Sequence, residues 1–265
     1  MTKIAVIGAG AIGRPVVEAL LAGAIDDVEV IGVVNDKPLP DGFPVPQIHL
    51  AEAIATSDVI VECAGQAVVA RHAVEILESG RDLLVTSAGA LADAGLATRM
   101  TAAGPGRFVV TSGAVGGVDL LVSAGSYGSV QRASVTTTKL PGALLQPWMD
   151  DATQERIRTT TEPITIFEGT AEEAARFFPR SLNVAATVGL ALGSLDLVEV
   201  RLIADPAAEL TSHVIEADTD AGSYRFEIRN HPSPDNPRTS GVVARAVVRS
   251  LSVLVGRPVG AVSII

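Results

Sequence analysis

The chain has 265 residues, 48% of them apolar and 19% charged, a globular balance with room for two modest domains and a buried core. Twenty basic residues against 30 acidic ones give a net charge of −10, which argues against nucleic acid or an anionic membrane as a partner. Apolar runs are short and interrupted, so no window supplies the roughly 18 residues of a membrane helix, and Met1-Thr2-Lys3 leads into a β-rich run without the features of a signal peptide.

Residues 3–7 form a short apolar run ending in glycines, followed by a helical stretch over 11–22 and a second buried strand over 28–34. The turn between them reads Gly8-Ala9-Gly10-Ala11-Ile12-Gly13, the pattern G-x-G-x-x-G in a strand-to-helix setting. Gly8 permits the tight turn, Gly10 lets the backbone approach a pyrophosphate, and Gly13 lets the helix close on the sheet. N–H groups at the helix start, through Ala11 and Ile12, then receive phosphate oxygens where the helix dipole is positive. Pro15 falls in the first turn and is no obstacle. The second strand ends in Asn35-Asp36-Lys37. The Asp36 carboxylate suits the ribose hydroxyls of NAD, whereas Lys37 can receive the 2′-phosphate of NADP, so both cofactors stay open.

The Pro-rich stretch over 37–46 is a loop, after which the βα pattern resumes. Strands over 58–63, 82–86 and 107–111, with helices over 67–78 and 90–103, complete a parallel sheet covered on both faces. This is an α/β reading: a Rossmann domain over residues 1–114. Cys63 ends a strand in Val61-Glu62-Cys63-Ala64-Gly65. As the single cysteine it excludes an internal disulfide and a Cys-based metal cluster, and it fits a reducing, cytoplasmic setting. Without a basic neighbour it reads as a small buried residue and not as a nucleophile. No His or Cys spacing suits a metal. His49, His72 and His231 read as solvated or structural.

After Gly116-Gly117 the texture changes to an α+β domain over 115–239, with an open, mostly antiparallel or mixed sheet. Strands are expected over 129–140, 164–168, 197–204, 211–217 and 222–228. Two helices are expected among them, one opened by the capping box Thr170-Ala171-Glu172-Glu173 and one, beyond Pro179, over 181–192. Lysine is scarce, with Lys3, Lys37 and Lys139 against 17 arginines. Lys139 ends a strand on the buried parity of Ala133, Val135 and Thr137, which leaves two readings: it binds a substrate carboxylate, or it snorkels to solvent. His213 shares a strand face with Thr211, Ile215 and Ala217 and is either a satisfied core histidine or a catalytic one. Residues 232–237 read as a stiff loop, and Ser240 as the cap of an apolar helix over 241–254. That helix must be buried, and we expect residues 240–265 to pack back on the first domain.

Several segments together resemble the L-aspartate dehydrogenase family over nearly the whole length. They are the glycine turn, Glu62-Cys63-Ala64-Gly65-Gln66, Ser112-Gly113-Ala114-Val115-Gly116-Gly117-Val118-Asp119, Phe178-Pro179-Arg180-Ser181-Leu182-Asn183-Val184-Ala185-Ala186-Thr187-Val188, Asp205-Pro206 followed by His213, and Asn236-Pro237-Arg238-Thr239-Ser240. The resemblance implies a Rossmann domain with an α+β catalytic domain, His213 as the catalytic residue, and Ala114 and Asn183 as NAD contacts. It also predicts an Asn shortly before the histidine, where this chain has Thr211-Ser212.

The implied reaction is NAD(P)-dependent oxidation of L-aspartate to iminosuccinate and then to oxaloacetate and ammonium, or the reverse, in the service of NAD biosynthesis. His213 serves as general base and acid, and Lys139 as the cation for one carboxylate. Small molecules are the expected partners of a homodimer or higher homo-oligomer. Two alternatives stand beside this: a related two-domain reductase acting on another amino or keto acid, in the manner of homoserine dehydrogenase, and a non-catalytic NAD(H)-binding sensor.

Overall fold

Two separate runs of sequence build the first of two units. In the computed structural model, which describes residues 1–179, 182–233 and 236–257, Met1–Gly113 and the segment from Val243 cluster together, and Ala114–Val242 form the other unit. In the first unit β1 (Thr2–Ile7), β2 (Val28–Val34), β3 (Val59–Glu62), β4 (Asp82–Val85) and β5 (Phe108–Val110) pair in parallel in the order β2-β1-β3-β4-β5. The connections carry α1 (Gly13–Leu21), α2 (Leu50–Thr56), α3 (Gln66–Glu78) and α4 (Ala94–Ala102). The chain steps from β1 to one side for β2 and to the other for β3, so the order reverses beside β1, where doubly wound sheets bind ligands.

Burial on both faces explains why these strands are short, unbroken apolar runs: all four residues of β3 are buried, as are Ile4, Ala5, Val6 and Ile7 of β1. Val16, Val17 and Leu20 of α1 enter the core with Ile4 and Val6, and so do Val247 and Leu251 of the last helix, α9 (Val243–Leu254). Each such side chain contributes roughly 1.5–3 kcal/mol of burial.

Two local readings of this unit need correction. Helix α2 follows the Pro-rich loop where no helix was expected; it buries only Ala53, too thin an apolar stripe to read. The helix expected over 90–103 is a 3₁₀ turn (Ala88–Ala92) followed by α4. Asp93 divides them, its side chain accepting the Leu96 N–H at 3.0 Å.

The second unit is built on β6 (Val130–Lys139), β7 (Ile164–Thr170), β8 (Val198–Ala204), β9 (Thr211–Thr219) and β10 (Gly222–Asn230), in the order β10-β9-β6-β8-β7. The β6–β8 pair is parallel and the other three are antiparallel, so the sheet is mixed. Its helices are α5 (Val118–Tyr127), α6 (Asp151–Thr159), α7 (Ala171–Phe177) and α8 (Asn183–Ala191).

Helices α5 and α6 are additions to the sequence reading. The first starts at Gly117 in the left-handed region and has no side-chain cap, and the second is polar and buries Ile157 alone. The capping box of α7 is present, with Thr170 Oγ1 accepting the Glu173 N–H at 3.2 Å and Glu173 Oε2 accepting the Thr170 N–H at 2.9 Å. The helix expected over 181–192 is α8; Arg180 and Ser181 lie outside the described residues.

The stretch read as a stiff loop carries a short antiparallel pair, β11 (Pro232–Ser233) and β12 (Asn236–Ser240), with Pro234 and Asp235 outside the described residues. Ser240 therefore closes a strand instead of capping α9. Residues 258–265 of the expected terminal segment also lie outside. Among the described residues no helix is long and apolar enough to cross a membrane.

Candidate active site

The glycine turn is shaped by what its glycines exclude. Gly8 has φ +99°, and a Cβ on it would stand 2.9 Å from the carbonyl oxygen of Cys63. A Cβ on Gly13 would collide with the carbonyl oxygen of Gly8. Gly10 differs: no atom lies within 4 Å of its Cβ position, so open space adjoins the backbone there. Beyond the turn α1 begins at its N-cap Ile12 without any side-chain cap. Open space over a glycine, next to an uncapped helix N-terminus, fits the phosphates of a dinucleotide.

The rest of the adenosine side is tied to β2. Gly8 N–H donates to the Val34 carbonyl at 2.8 Å, and Ala9 N–H donates to Asn35 Oδ1 at 3.2 Å. Gln47 Nε2 donates to the Asn35 carbonyl at 2.7 Å while its Oε1 accepts the Leu39 N–H at 3.1 Å. This holds the loop that carries Asp36 and Lys37, both exposed. The carboxylate thus stands at the end of β2, where a ribose would be met. The sequence showed Asp36; the role of Gln47, twelve residues from Asn35, carried no local signal.

In the second unit the structure joins His213 to two residues of the neighbouring strand. His213 lies opposite Thr137 in the β6–β9 register, and Thr137 Oγ1 and His213 Nδ1 are 2.9 Å apart. The hydroxyl can donate to Nδ1 or accept from it, according to the tautomer. Both residues are buried, as is Lys139, two positions along β6 on the same face and 4% exposed. Burial, and then the charge of Lys139, push the His213 imidazole down to about 3. Burial alone lowers the Lys139 ammonium to about 8.

Lys139 opens onto a cavity of about 680 Å³, whose lining includes Arg158, Glu209, Thr211, Pro232 and Asn236. The volume is in the range of small-molecule sites. His213 is not on its wall, but Thr211 is, two residues earlier on the same face of β9. Of the two residues that stand where the resemblance predicts an Asn, Thr211 thus lines the cavity, while Ser212 belongs to the opposite face of the strand.

The remaining candidates fall as follows. Ala114, 8% exposed, opens the second unit, and Asn183 is the first residue of α8, so both belong to the unit of His213 and not to that of the glycine turn. Cys63 is pushed far above the ordinary thiol range, by burial first and then by the charge of Glu62, so it stays a thiol. His49 and His231 are exposed, and His72 sits 3.7 Å from Glu75 on a partly exposed helix face. Sequence reasoning missed Thr137 as a partner of the histidine: the two are 76 residues apart, and only the strand register joins them. Arg158 was also missed, because the helix that carries it was.

Comparison with known proteins gives consistent findings. A family model described as aspartate dehydrogenase, C-terminal, matches residues 119–254, and one described as homoserine dehydrogenase, NAD binding domain, matches residues 8–105. The chain is 36% identical over 264 residues to an L-aspartate dehydrogenase of Ralstonia pickettii, covering 95% of this chain and 97% of that one. It is 36% identical over 259 residues to an L-aspartate dehydrogenase of Methanopyrus kandleri, covering 93% of each. The crystal structure of aspartate dehydrogenase from Thermotoga maritima superposes with a TM-score of 0.74 at 26% identity, covering 100% of this chain and 99% of that one.

Proposed function

The chain belongs to the L-aspartate dehydrogenase family, and from that premise we propose that it oxidises L-aspartate to iminosuccinate with NAD or NADP, water then releasing oxaloacetate and ammonium, or runs the reverse. The observation that carries the substrate assignment is the buried Lys139, on the same sheet face as His213 and opening onto the cavity. An acidic protein that takes a dicarboxylate needs a local cation, and Lys139 supplies it for one carboxylate.

A bound nicotinamide would supply the hydride acceptor for the Cα hydrogen of L-aspartate, and loss of that hydride together with an amine proton gives iminosuccinate. Gly8, Gly10, Ala11, Ile12 and Gly13 would offer backbone to the pyrophosphate and Asp36 would bind the ribose, with Ala114 and Asn183 as further contacts of the cofactor. His213 would take one proton from the amine and pass it to solvent, then take a second from the attacking water and give it to the departing nitrogen, which leaves as ammonium; the reverse direction runs these transfers backwards. A base near 3 is weak; burial is the larger cause of that low value and the charge of Lys139 the smaller. A carboxylate bound to Lys139 cancels that charge, so the imidazole regains the part of its basicity that Lys139 removes, while burial still lowers the rest. Thr137 keeps the ring oriented through Nδ1.

The acidic balance and single cysteine support a cytoplasmic enzyme, and family membership supports a homo-oligomer that supplies iminosuccinate to NAD biosynthesis. The test is absorbance at the nicotinamide band, with NAD and NADP separately and L-aspartate against L-glutamate, L-alanine and L-homoserine, beside the reverse reaction with oxaloacetate and ammonium. Reduction with L-aspartate alone is expected. Tight NADH binding without turnover of L-aspartate would reject the substrate and leave a dinucleotide-binding protein.

A further inference from the structure

The ends of β3 and β4 share a carboxylate that the glycine turn does not use. Glu62, the last residue of β3, is 1% exposed. Its Oε1 accepts hydrogen bonds from Ala64 N–H at 2.8 Å, Gly65 N–H at 2.7 Å and Ser87 Oγ at 2.9 Å. Its Oε2 accepts from Thr86 N–H at 3.2 Å and Ser87 N–H at 3.0 Å. Every one of these partners is a donor, the complement of a group that only accepts. Gly65, the N-cap of α3 at φ +125° with no side-chain cap, sets the positive end of that helix beside it.

Apolar packing does not call for such a group, since Val61 and Leu84 fill the neighbouring core without polar atoms and a buried charge costs desolvation. What the carboxylate does, and an apolar side chain cannot, is fasten the loop after β3 to the loop after β4.

Strand order says what lies over that junction. A dinucleotide with its adenosine ribose at Asp36 and its pyrophosphate at the glycine turn runs from the β2 side across β1 towards β3 and β4. The near half has its own anchors in Val34 and Asn35. The Glu62 network serves the far half. We propose that Glu62 is a positioning residue for the nicotinamide half of the cofactor, holding the loops after β3 and β4 at the spacing that half requires. The inference rests on reading the first unit as a nicotinamide-dinucleotide site.

The experiment titrates NADH and ADP, which lacks the nicotinamide and its ribose, against the full-length wild type, Glu62→Gln and Ser87→Ala. Glutamine turns an NH₂ group towards two backbone N–H donors in either orientation, and we expect NADH to weaken by at least about tenfold. ADP should stay within about twofold of wild type, because its adenosine and phosphates lie on the side of β2 and the glycine turn. Ser87→Ala removes a single side-chain donor and should show the same split at smaller size, which keeps the inference testable if Glu62→Gln does not fold. Equal losses for both ligands, or no loss for either, in a folded variant overturn it. A wild type that binds neither ligand overturns the dinucleotide reading, and this inference with it.

Discussion

The glycine turn of the first unit is made of backbone, and the histidine–lysine pair of the second is made of buried side chains. At the turn the chemistry lies in N–H groups and in space kept clear by Gly10, so its partners need no particular protonation state. At the pair the chemistry lies in two titratable groups that burial moves from their ordinary values, His213 to about 3 and Lys139 to about 8. A backbone site is therefore sensitive to added volume and indifferent to pH, whereas a buried side-chain site is sensitive to both charge and pH.

Replacement tests this contrast most severely at His213. His213→Ala should lower turnover of L-aspartate by about 10²- to 10⁴-fold, the range for a lost general acid–base, with NADH affinity unchanged; steady-state rates and a binding titration check both halves. Next in size is Lys139→Met, expected to raise the KM for L-aspartate roughly 10- to 100-fold through loss of a charged hydrogen bond. In the wild type that KM should climb as pH rises through about 8, where the ammonium of the free enzyme loses its proton, and the climb should vanish in the variant.

The turn should respond to volume instead. Gly10→Ala has room in the free protein, so its melting temperature should hold while NADH weakens roughly tenfold, because the methyl takes the phosphate's space. Gly13→Ala meets the Gly8 carbonyl and should lower stability by about 1–3 kcal/mol as well. Equal melting temperatures for the two would erase the distinction.

The last effect is one of linkage. The unfolded His213 binds its proton near the ordinary imidazole value of 6.5, the native one only near 3, so acidification between those values favours unfolding by up to about 1.4 kcal/mol per pH unit. His213→Ala should flatten the denaturation-against-pH curve in that window by comparison with wild type.

The same contrast explains what the sequence disclosed. Gly8, Gly10 and Gly13 were legible because a phosphate turn demands glycine at fixed spacing, and Asp36 because a strand end delivers it. The alternation along β9 put His213 on the inner face, and that of β6 did the same for Lys139. Thr137 and Glu62 were not legible as members of networks, since their partners come through strand pairing from 76 and up to 25 residues away. The short polar α6, and with it Arg158, was hidden because a helix that buries only Ile157 leaves no apolar period to find.

The contribution of α9 to the first unit has a consequence for synthesis. Val247 and Leu251 share a core with Ile4, Val6 and Val17, and Ser250 Oγ donates to Thr111 Oγ1 at 3.0 Å. A ribosome reading this message makes the glycine turn before the second unit, and it must translate the whole of that unit before the residues that close the core emerge. The nascent chain should therefore carry an incomplete dinucleotide fold through most of its elongation, exposing apolar surface that invites chaperones. A message cut short before α9 would yield a product that aggregates, even though every residue of its cofactor turn had been made.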